Sequence, residues 1–455
     1  MSTPTYGQAL FILYLLAINI ILSGVGINSV QPNSWYSSGS AEVRADLANR
    51  VGVLSFANIP LLILYAGRNN VLLRLTNWSH STFLLLHRWI AWICTIEACL
   101  HSAIYLQEYV ASGEHSTESK LPYWIWGVVG TLTMTVLLPG SVWHFREKLY
   151  ELFLVFHIVL SIFAVVGCYC HIFYRYGHQW GYEVWLYVAF AVWGFERVMR
   201  LAKLARNGVR TAYVAIIDDN YIRVDVEGVS GCGHAYLYFP TLTWRFWENH
   251  PFSVASTILR PECGAEKPPT NIDIEKSGAI TKAARVIDND SQVDGTRLPA
   301  KIGLTFFVRT MTGVTARLRN HATLPVLIES PYGSHEDLSE NALLVCIAGG
   351  VGITACIPII RVHPGRVKLF WGVRSEAIVD AMAPSLGDVD KEVFVEQRMN
   401  ITETLKRELS DTKETAVVFV SGPADMAEEV RDAVSKLGRT RNGLKIKFVE
   451  ETFSW

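Results

Sequence analysis

Six long apolar stretches fill the first part of the chain, and each has the length of a membrane-crossing helix or nearly so. The predicted spans are about 8–28, 50–66, 83–106, 122–139, 150–174 and 183–201. The second is the shortest and contains Asn58 and Pro60, although proline is tolerated in bundled membrane helices. The pattern predicts a six-helix transmembrane bundle over residues 1–205.

After residue 205 the periodicity changes from helical to alternating. Residues 211–228 alternate apolar and polar side chains around Asp219 and Asn220, which is typical of a β-hairpin. Further short strands are predicted near 234–239, 302–309 and 325–329. Together they predict a small antiparallel β-barrel over residues 206–340. Residues 261–300 are rich in Pro, Lys, Asp, Glu and Gly without periodicity, which predicts a mobile insertion in that barrel.

The last part of the chain alternates apolar strands with helical segments. Strands are predicted at 342–348, 366–373, 416–422 and 444–451, with helices ending near Val362 and spanning about 424–437. Such alternation is typical of a parallel sheet of the dinucleotide-binding kind, here over residues 341–455. The predicted fold class is therefore multi-domain: a six-helix transmembrane bundle, an antiparallel β-barrel and an α/β domain with a parallel sheet.

Composition agrees with a membrane protein that continues into a soluble part. Hydrophobic residues make up 50% of the chain, and they are concentrated before about residue 205. The formal net charge of −1 implies no general attraction to nucleic acid. The eight Cys residues form no CxxC pair and no zinc-binding spacing, so we interpret them as reduced thiols.

Basic residues near the ends of the spans orient the predicted bundle. One side carries Arg68, Arg74, Arg88, Arg146, Lys148, Arg197, Arg200, Lys203, Arg206 and Arg210. The other side carries only Arg44, Arg50, Lys120 and Arg175. Because cytosolic loops hold the excess of Lys and Arg, the first side is expected to be cytosolic.

Two of the predicted spans repeat one histidine spacing. His87 and His101 lie in the third span, His157 and His171 in the fifth, and the members of each pair are fourteen residues apart. Fourteen helical steps bring a side chain back to within about 40° of its first direction, about 21 Å further along the axis. If the two helices pack side by side, the four imidazoles form two pairs stacked across the membrane, with His87 and His157 near the cytosol.

This arrangement suits two haems, each ligated by one His from either helix. Bis-His ligation leaves iron no open position for a substrate, so such a site carries electrons. The alternative for a lone His in an apolar helix is a hydrogen-bonded core residue, but equal spacing in two spans favours the ligand set. Glu97, one turn before His101, either hydrogen-bonds the outer site or pairs with a polar neighbour.

Glycines mark a predicted strand-to-helix turn in the C-terminal part. At Gly349, Gly350 and Gly352 the backbone N–H groups and the helix N-terminus can approach a pyrophosphate closely. Such turns also need glycine for geometry alone, but the position in a βαβ unit favours nucleotide binding. Arg374, at the end of the next strand, is placed to meet the 2′-phosphate of NADPH, and an ordinary exposed Arg is the alternative.

Three further segments carry groups that suit a flat aromatic cofactor. One is a short run, interpreted as a loop, that consists of His250, Pro251, Phe252 and Ser253. Gly313 and Thr315 belong to a glycine turn that opens a helix and could take a second pyrophosphate. The chain closes on Trp455, which either packs against the fold or covers a flavin face.

Several motifs, taken in their order along the chain, resemble the ferric reductase family and most closely its fungal metalloreductases. They are ANIPLLILYAGRNN, the paired His spacings, HPFS, GVTARL, PYG at 331–333, GGVGIT, WGVR, SGP at 421–423 and the EETFSW terminus. The resemblance runs from about residue 50 to the end, and the wider family includes the NADPH oxidases. Ser421 departs from it, because relatives often carry Cys there beside the nicotinamide.

The resemblance implies a cofactor for each matching position. The inner haem would be bound by His87 and His157, and the outer haem by His101 and His171. FAD would contact His250, Pro251, Phe252, Ser253, Gly313 and Thr315. NADPH would contact Gly349, Gly350, Gly352, Thr354 and Arg374.

The expected activity is NADPH-dependent reduction of a metal chelate across a membrane. NADPH gives two electrons as hydride and haem iron takes one at a time, so FAD must stand between them. An Fe(III) chelate at the outer face is the expected acceptor, with Cu(II) chelates as further substrates. The alternatives are an NADPH oxidase that makes superoxide and a membrane oxidoreductase of a biosynthetic pathway with an organic acceptor. The plasma membrane is the expected location, and the vacuolar or another internal membrane is the alternative.

Overall fold

The computed structural model describes residues 4–36, 38–76, 78–140, 150–259, 301–311, 313–333, 338, 341–410, 415–440 and 445–451. The predicted insertion 261–300 and the terminal Trp455 lie outside the described residues. Along the described chain a group of long helices is followed by an antiparallel sheet and then by a parallel sheet.

Helices make up the N-terminal part of the structure. They are α1 (Tyr6–Gly24), α2 (Gly39–Ala66), α3 (Val71–Thr76), α4 (His80–Ala111), α5 (His115–Glu118), α6 (Pro122–Gly140), α7 (Tyr150–Tyr176) and α8 (Val184–Asn207). Among the described residues, α1, α2, α4, α6 and α7 are long and apolar enough to cross a membrane. The sixth predicted span forms α8, which carries Glu196, Arg197 and Arg200, so its crossing of the membrane stays a prediction.

Helix α2 begins well before the predicted span, which started near residue 50. Ser38 caps its N-terminus with a side-chain hydrogen bond. Glu42 in the first turn is buried and accepts hydrogen bonds from Ser29 Oγ at 2.8 Å and Asn33 Nδ2 at 2.9 Å. Because a carboxylate at a helix N-terminus is favourable, polar capping residues outside the apolar run set the start of this helix.

Glu97, the carboxylate deep in α4, pairs with a polar neighbour. Asn58 Nδ2 of α2 lies 2.9 Å from Glu97 Oε2 and 2.9 Å from Asn19 Oδ1 of α1. All three residues are buried, and a buried polar group needs such partners. The amide therefore joins three helices, which confirms the predicted pairing of Glu97 and explains the Asn within the second span.

Seven strands form the antiparallel sheet that follows the helices. They are β1 (Val209–Ile216), β2 (Tyr221–Glu227), β3 (His234–Tyr238), β4 (Asn249–Ser253), β5 (Ser256–Leu259), β6 (Lys301–Arg309) and β7 (Thr323–Tyr332). Their order in the sheet is β4-β3-β7-β1-β2-β6-β5, and the short helix α9 (Val314–Leu318) connects β6 to β7. The predicted hairpin is confirmed, since Ile216 of β1 is opposite Ile222 of β2.

The interpretation of residues 250–253 as a loop was wrong, because they form most of strand β4. Pro251 lies opposite Tyr236 of β3, and β4 is the edge strand of the sheet. A proline has no N–H to donate, but an edge strand tolerates it where the missing bond would point outward. The strand exists because β3 pairs with it, which a short run containing proline does not indicate by itself.

The C-terminal part is the predicted parallel sheet, and helices cover both of its faces. Its strands are β8 (Leu343–Gly349), β9 (Arg366–Val373), β10 (Lys391–Val395), β11 (Ala416–Ser421) and β12 (Ile446–Glu450), in the order β10-β9-β8-β11-β12. The helices are α10 (Ile353–Val362), α11 (Glu376–Leu386), α12 (Ile401–Ser410) and α13 (Ala424–Thr440). Side chains of the central strand β8 alternate between two apolar clusters, one on each face. Strand β10 and helices α11 and α12 were not predicted.

A buried charged cluster joins the membrane helices to the antiparallel sheet. Glu329 of β7 is fully buried, and Tyr238 Oη donates to its Oε2 at 2.7 Å. Arg68 Nη1 lies 3.7 Å from one carboxylate oxygen of Glu329 and Arg200 Nε lies 3.9 Å from the other. Arg200 also pairs with Glu196 of α8 at 2.6 Å. Because each buried charge needs its partners, the cluster fixes the sheet against α8 and the end of α2.

Aromatic rings cover the same junction. The guanidinium carbon of Arg68 lies 3.5 Å from the ring centroid of Tyr236, and Lys203 Nζ lies 3.3 Å from that of Tyr332. The imidazole of His234 stacks on Tyr332, with centroids 5.6 Å apart. Burial, helped by nearby basic side chains, lowers the pKa of His234 to about 3.

The His234 environment predicts acid sensitivity of this junction. The unfolded chain binds a proton at this His below its ordinary pKa of about 6.5, whereas the folded chain does not until about pH 3. Stability is therefore complete above pH 6.5 and falls progressively as the pH decreases toward 3. We expect the midpoint temperature of flavin release to fall from pH 7.5 to pH 5. His234→Gln should flatten that fall, and His321→Gln, at an exposed position of the same sheet domain, should not. Equal slopes in the wild type and His234→Gln would contradict this assignment.

Candidate functional site

Two pairs of histidines face each other between helices α4 and α7. The ring centroids of His87 and His157 are 6.2 Å apart, and those of His101 and His171 are 6.1 Å apart. The ring planes cross at 57° in the first pair and 88° in the second. The structure therefore brings the four residues together in the two pairs that the spacing predicts.

Backbone carbonyls of neighbouring helices orient three of these four imidazoles. The Nδ1–O distances are 2.9 Å for His87 and Leu62, 2.8 Å for His101 and Ala48, and 2.8 Å for His171 and Tyr123. A proton on Nδ1 that is donated to a carbonyl leaves the lone pair on Nε2, the tautomer that ligates a metal ion. Within the described residues, the buried Nδ1 of His157 has no hydrogen-bond partner.

The spacing of the rings suits one metal ion between the members of each pair. An imidazole nitrogen lies about 2 Å from a bound first-row metal and about 1 Å from its own ring centre, so two axial rings have centres about 6 Å apart. In the part of the chain that the structure describes, no group of three or more His, Cys, Asp or Glu side chains could hold a metal ion. Two imidazoles suffice when a macrocycle supplies the other four ligands, as a haem does. The residues present therefore fit haem.

The two pairs lie at different depths relative to the antiparallel sheet. Leu62, which orients His87, is near the end of α2 that contacts the sheet, whereas Ala48, which orients His101, is in the other half of α2. We call His87 and His157 the inner pair, and His101 and His171 the outer pair. A cavity beside the outer pair is lined mainly by apolar and aromatic groups, with Tyr105, Tyr123 and Arg175 among them.

The predicted flavin-contacting run lies on the edge strand β4. Pro251 and Ser253 are buried, while His250 and Phe252 are partly exposed, so the latter two side chains share one face of the strand. His250 Nε2 lies 3.2 Å from Glu248 Oε1. The ring of Phe252 meets that of Phe306 with centroids 6.4 Å apart. Phe252 thus packs against the apolar core of the sheet, and contact of this run with a flavin stays a prediction.

The predicted glycine turn before α9 is confirmed. Gly313 has φ +81°, a backbone conformation that favours glycine, and Val314 begins the helix. Thr315 Oγ1 accepts a hydrogen bond from Met311 N at 2.9 Å and so closes the turn. The helix is only five residues long, and pyrophosphate binding at this turn stays a prediction.

The glycine-rich turn after β8 depends on close backbone contacts. A Cβ atom on Gly352 would lie 2.3 Å from Ser421 O of β11, and Gly350 has φ +56°. Trp371 Nε1 of β9 donates to Gly350 O at 2.8 Å. Thr354 is buried and its hydroxyl lies 2.8 Å from Val351 O. The turn therefore packs against the carboxyl ends of β9 and β11, at the edge where ligands bind in open α/β sheets.

Two more side chains, Arg374 and Ser421, lie at the strand ends near this turn. Arg374 is exposed at the end of β9, two strands away from Ser421, which is buried at the end of β11. Both therefore lie at the carboxyl edge of the parallel sheet. Trp371 was not predicted as a site residue. Its polar N–H in an apolar strand is the only sequence signal for its contact with the turn, and it suits a core residue equally well.

Two family models match the chain. The ferric reductase like transmembrane component matches residues 51–168, and an FAD-binding domain matches residues 206–336. The first match contains three of the four paired histidines, His87, His101 and His157, and the second contains the antiparallel sheet. The two matches thus cover a central part of the helical region and the antiparallel sheet separately.

Curated relatives extend the similarity over most of the chain. The Ferric/cupric reductase transmembrane component 1 of Candida albicans is 30% identical over 385 residues, which cover 82% of this chain and 45% of that protein. Ferric reductase transmembrane component 3 of Saccharomyces cerevisiae is 24% identical over 520 residues, which cover 99% of this chain and 67% of that protein. Ferric/cupric reductase transmembrane component 2 of Saccharomyces cerevisiae is 26% identical over 398 residues and 84% of this chain. The chain spans about half the length of several of these relatives.

Proposed function

We propose that this chain, a member of the ferric reductase family, passes electrons from cytosolic NADPH across a membrane. The acceptor would be an Fe(III) chelate at the outer face, and Cu(II) chelates would be further substrates. The observation that carries the proposal is the stack of two His pairs, each with the ring spacing of an axially ligated metal. Two haems at these pairs would carry single electrons, and FAD would convert the hydride of NADPH into single electrons.

The chain's own residues have separate tasks in this proposal. The inner and outer pairs would each hold a haem through Nε2, while the carbonyls of Leu62, Ala48 and Tyr123 orient three of the four rings. Two imidazoles at each haem would leave no open position for a substrate, so each haem would supply electron transfer only. The charged junction at Glu329 keeps the antiparallel sheet at the inner end of the bundle.

The remaining predicted site residues divide between the two soluble sheets. FAD would lie along β4 at His250, Pro251, Phe252 and Ser253 and reach the Gly313–Thr315 turn, with Trp455 as a further contact. NADPH would bind at the carboxyl edge of the parallel sheet through Gly349, Gly350, Gly352, Thr354 and Arg374. Ala255, which follows β4, and Phe307 of β6 belong to the same apolar cluster as Ile353 at the start of α10, so the two sheets pack together. Hydride transfer would take place where they meet.

Fe(III) reduction and superoxide formation are separated by one experiment. The full chain, purified with haem and FAD, is given NADPH and an Fe(III) chelate with and without oxygen. We expect Fe(II) at the same rate in both, and superoxide only as a minor product that superoxide dismutase removes without slowing Fe(II) formation. Fe(II) formation that requires oxygen and disappears with superoxide dismutase would show an NADPH oxidase instead.

Arg374 should set the preference for NADPH over NADH. Its exposed guanidinium can pair with the 2′-phosphate that only NADPH carries, a charge-assisted contact of about 1.5–3 kcal/mol. Arg374→Ala should therefore lower the NADPH-to-NADH ratio of kcat/KM about tenfold or more, mainly through KM for NADPH. Arg398→Ala, at an exposed position paired with Glu429, is the matched control and should leave the ratio unchanged. An unchanged ratio in Arg374→Ala would contradict the assignment.

A further inference from the structure

Each outer imidazole lies against a glycine inside a neighbouring membrane helix. A Cβ atom on Gly52 of α2 would lie 2.6 Å from His101 Nδ1 and 3.1 Å from its Cε1. A Cβ atom on Gly127 of α6 would lie 2.7 Å from His171 Nδ1 and 3.1 Å from its Cε1. Real Cβ atoms essentially never approach other heavy atoms within 3.0 Å, so an alanine at either position would displace the ring.

Each glycine belongs to the same helical turn as the carbonyl that orients the imidazole. His101 Nδ1 is hydrogen-bonded to Ala48 O, and His171 Nδ1 is hydrogen-bonded to Tyr123 O, both at 2.8 Å. The two glycines are four residues further along their helices. In an α-helix a side chain leans back toward the N-terminus, over the turn that begins four residues earlier. At these two positions a Cβ atom would meet the imidazole itself, and glycine leaves the ring room to reach the carbonyl oxygen.

Neither backbone conformation nor helix packing accounts for these two glycines. Both lie inside helices, where glycine is less favourable than alanine, and neither has a positive φ. Gly167 of α7 is different, because a Cβ atom there would lie 2.8 Å from Gly130 N of α6, a contact between helix backbones. At the inner pair, His87 reaches the carbonyl of Leu62 near the end of α2, and the residue four positions on is Ala66.

We infer that Gly52 and Gly127 are positioning residues for the outer haem. They admit each imidazole deep enough to donate from Nδ1 to the helix carbonyl, and this contact turns Nε2 toward the space between the two rings. The inference rests on the proposed function, in which His101 and His171 ligate the outer iron. The inference adds that the orientation of the outer pair depends on two glycines. At the inner pair, the corresponding position for His87 is occupied by Ala66.

The test compares glycine-to-alanine variants of the full chain, purified in parallel. Gly52→Ala and Gly127→Ala are the test variants. Gly167→Ala, at a tight helix contact without an imidazole, and Gly194→Ala, where a Cβ atom would meet nothing within 4 Å, are the controls. Haem per chain is measured from the reduced pyridine complex, the low-spin ferric signals by electron paramagnetic resonance, and flavin reduction by NADPH in the absence of any metal acceptor.

We expect each test variant to hold about one haem per chain where the wild type holds about two. If a variant keeps the outer haem, its resonance signal should shift while the inner signal and flavin reduction stay as in the wild type. Two haems with unchanged signals in both test variants would overturn the inference, and so would loss of both haems, since the inner pair is not touched. Loss of the outer haem in Gly167→Ala would assign the effect to helix packing and would also overturn it. A wild type that binds no haem, or a His101→Ala chain that keeps two, would overturn the proposed function instead.

Discussion

His101→Ala should give a protein that holds the inner haem, loses the outer one and no longer delivers electrons to the outer face. The reason is that His101 supplies one of the two nitrogens of the outer pair, whose rings are 6.1 Å apart. In the described residues no third His, Cys, Asp or Glu joins that pair to replace it. The haem content is measured on the purified chain, and metal reduction by NADPH should fall to background.

Two comparisons make this result specific. Flavin reduction by NADPH should persist in His101→Ala, because the soluble sheets lie at the other end of the bundle. His178→Ala is the matched control, since His178 lies at the same side of the membrane but pairs with Glu183 at 3.3 Å and is outside the two pairs. A His101→Ala chain that retains both haems would contradict the ligand assignment.

Glu329→Gln should strongly weaken the attachment of the antiparallel sheet to the helices. The carboxylate is fully buried between Arg68 and Arg200, and the amide keeps the size and one oxygen acceptor but removes the charge. Leaving a buried cation without its partner costs about 3–5 kcal/mol. The expected result is a lower denaturant midpoint for flavin release and slower reduction of the inner haem by flavin, because the sheet is less firmly held against the helices.

The control for this change is a second Glu→Gln substitution in the same sheet. Glu227 is 42% exposed and pairs with Lys301, so Glu227→Gln should change stability by about 0–1 kcal/mol. Equal effects of the two substitutions would show that the buried cluster at Glu329 does not determine how the sheet is attached.

Local periodicity accounts for what could be predicted from the sequence. The apolar spans, the hairpin around Asp219 and Asn220 and the alternation of strands and helices after residue 341 all follow from patterns within short windows. The pairing of the four histidines also follows from a local pattern. A separation of fourteen residues in each of two helices gives the two side chains of each helix the same difference in height along the axis.

Contacts between distant segments account for what could not be predicted. Strand β4 depends on pairing with β3, and the run with Pro251 looks like a loop without that partner. Arg68 and Glu329 are far apart in the sequence but lie close together in the structure. No local sequence pattern at either position indicates the other. The role of a glycine within an apolar span, such as Gly127, cannot be predicted until the imidazole of another helix is known to lie against it.

The most direct test of the proposed electron path uses the full chain in sealed lipid vesicles. An Fe(III) chelate is trapped in the lumen with an Fe(II)-specific dye, NADPH is added outside, and the vesicle membrane is impermeable to both. Chains oriented with the soluble sheets outward should produce Fe(II) inside, and His101→Ala should abolish that signal while flavin reduction continues. Reduction of chelate only when it shares a compartment with NADPH, at equal rates in the wild type and His101→Ala, would contradict transfer through the two histidine pairs.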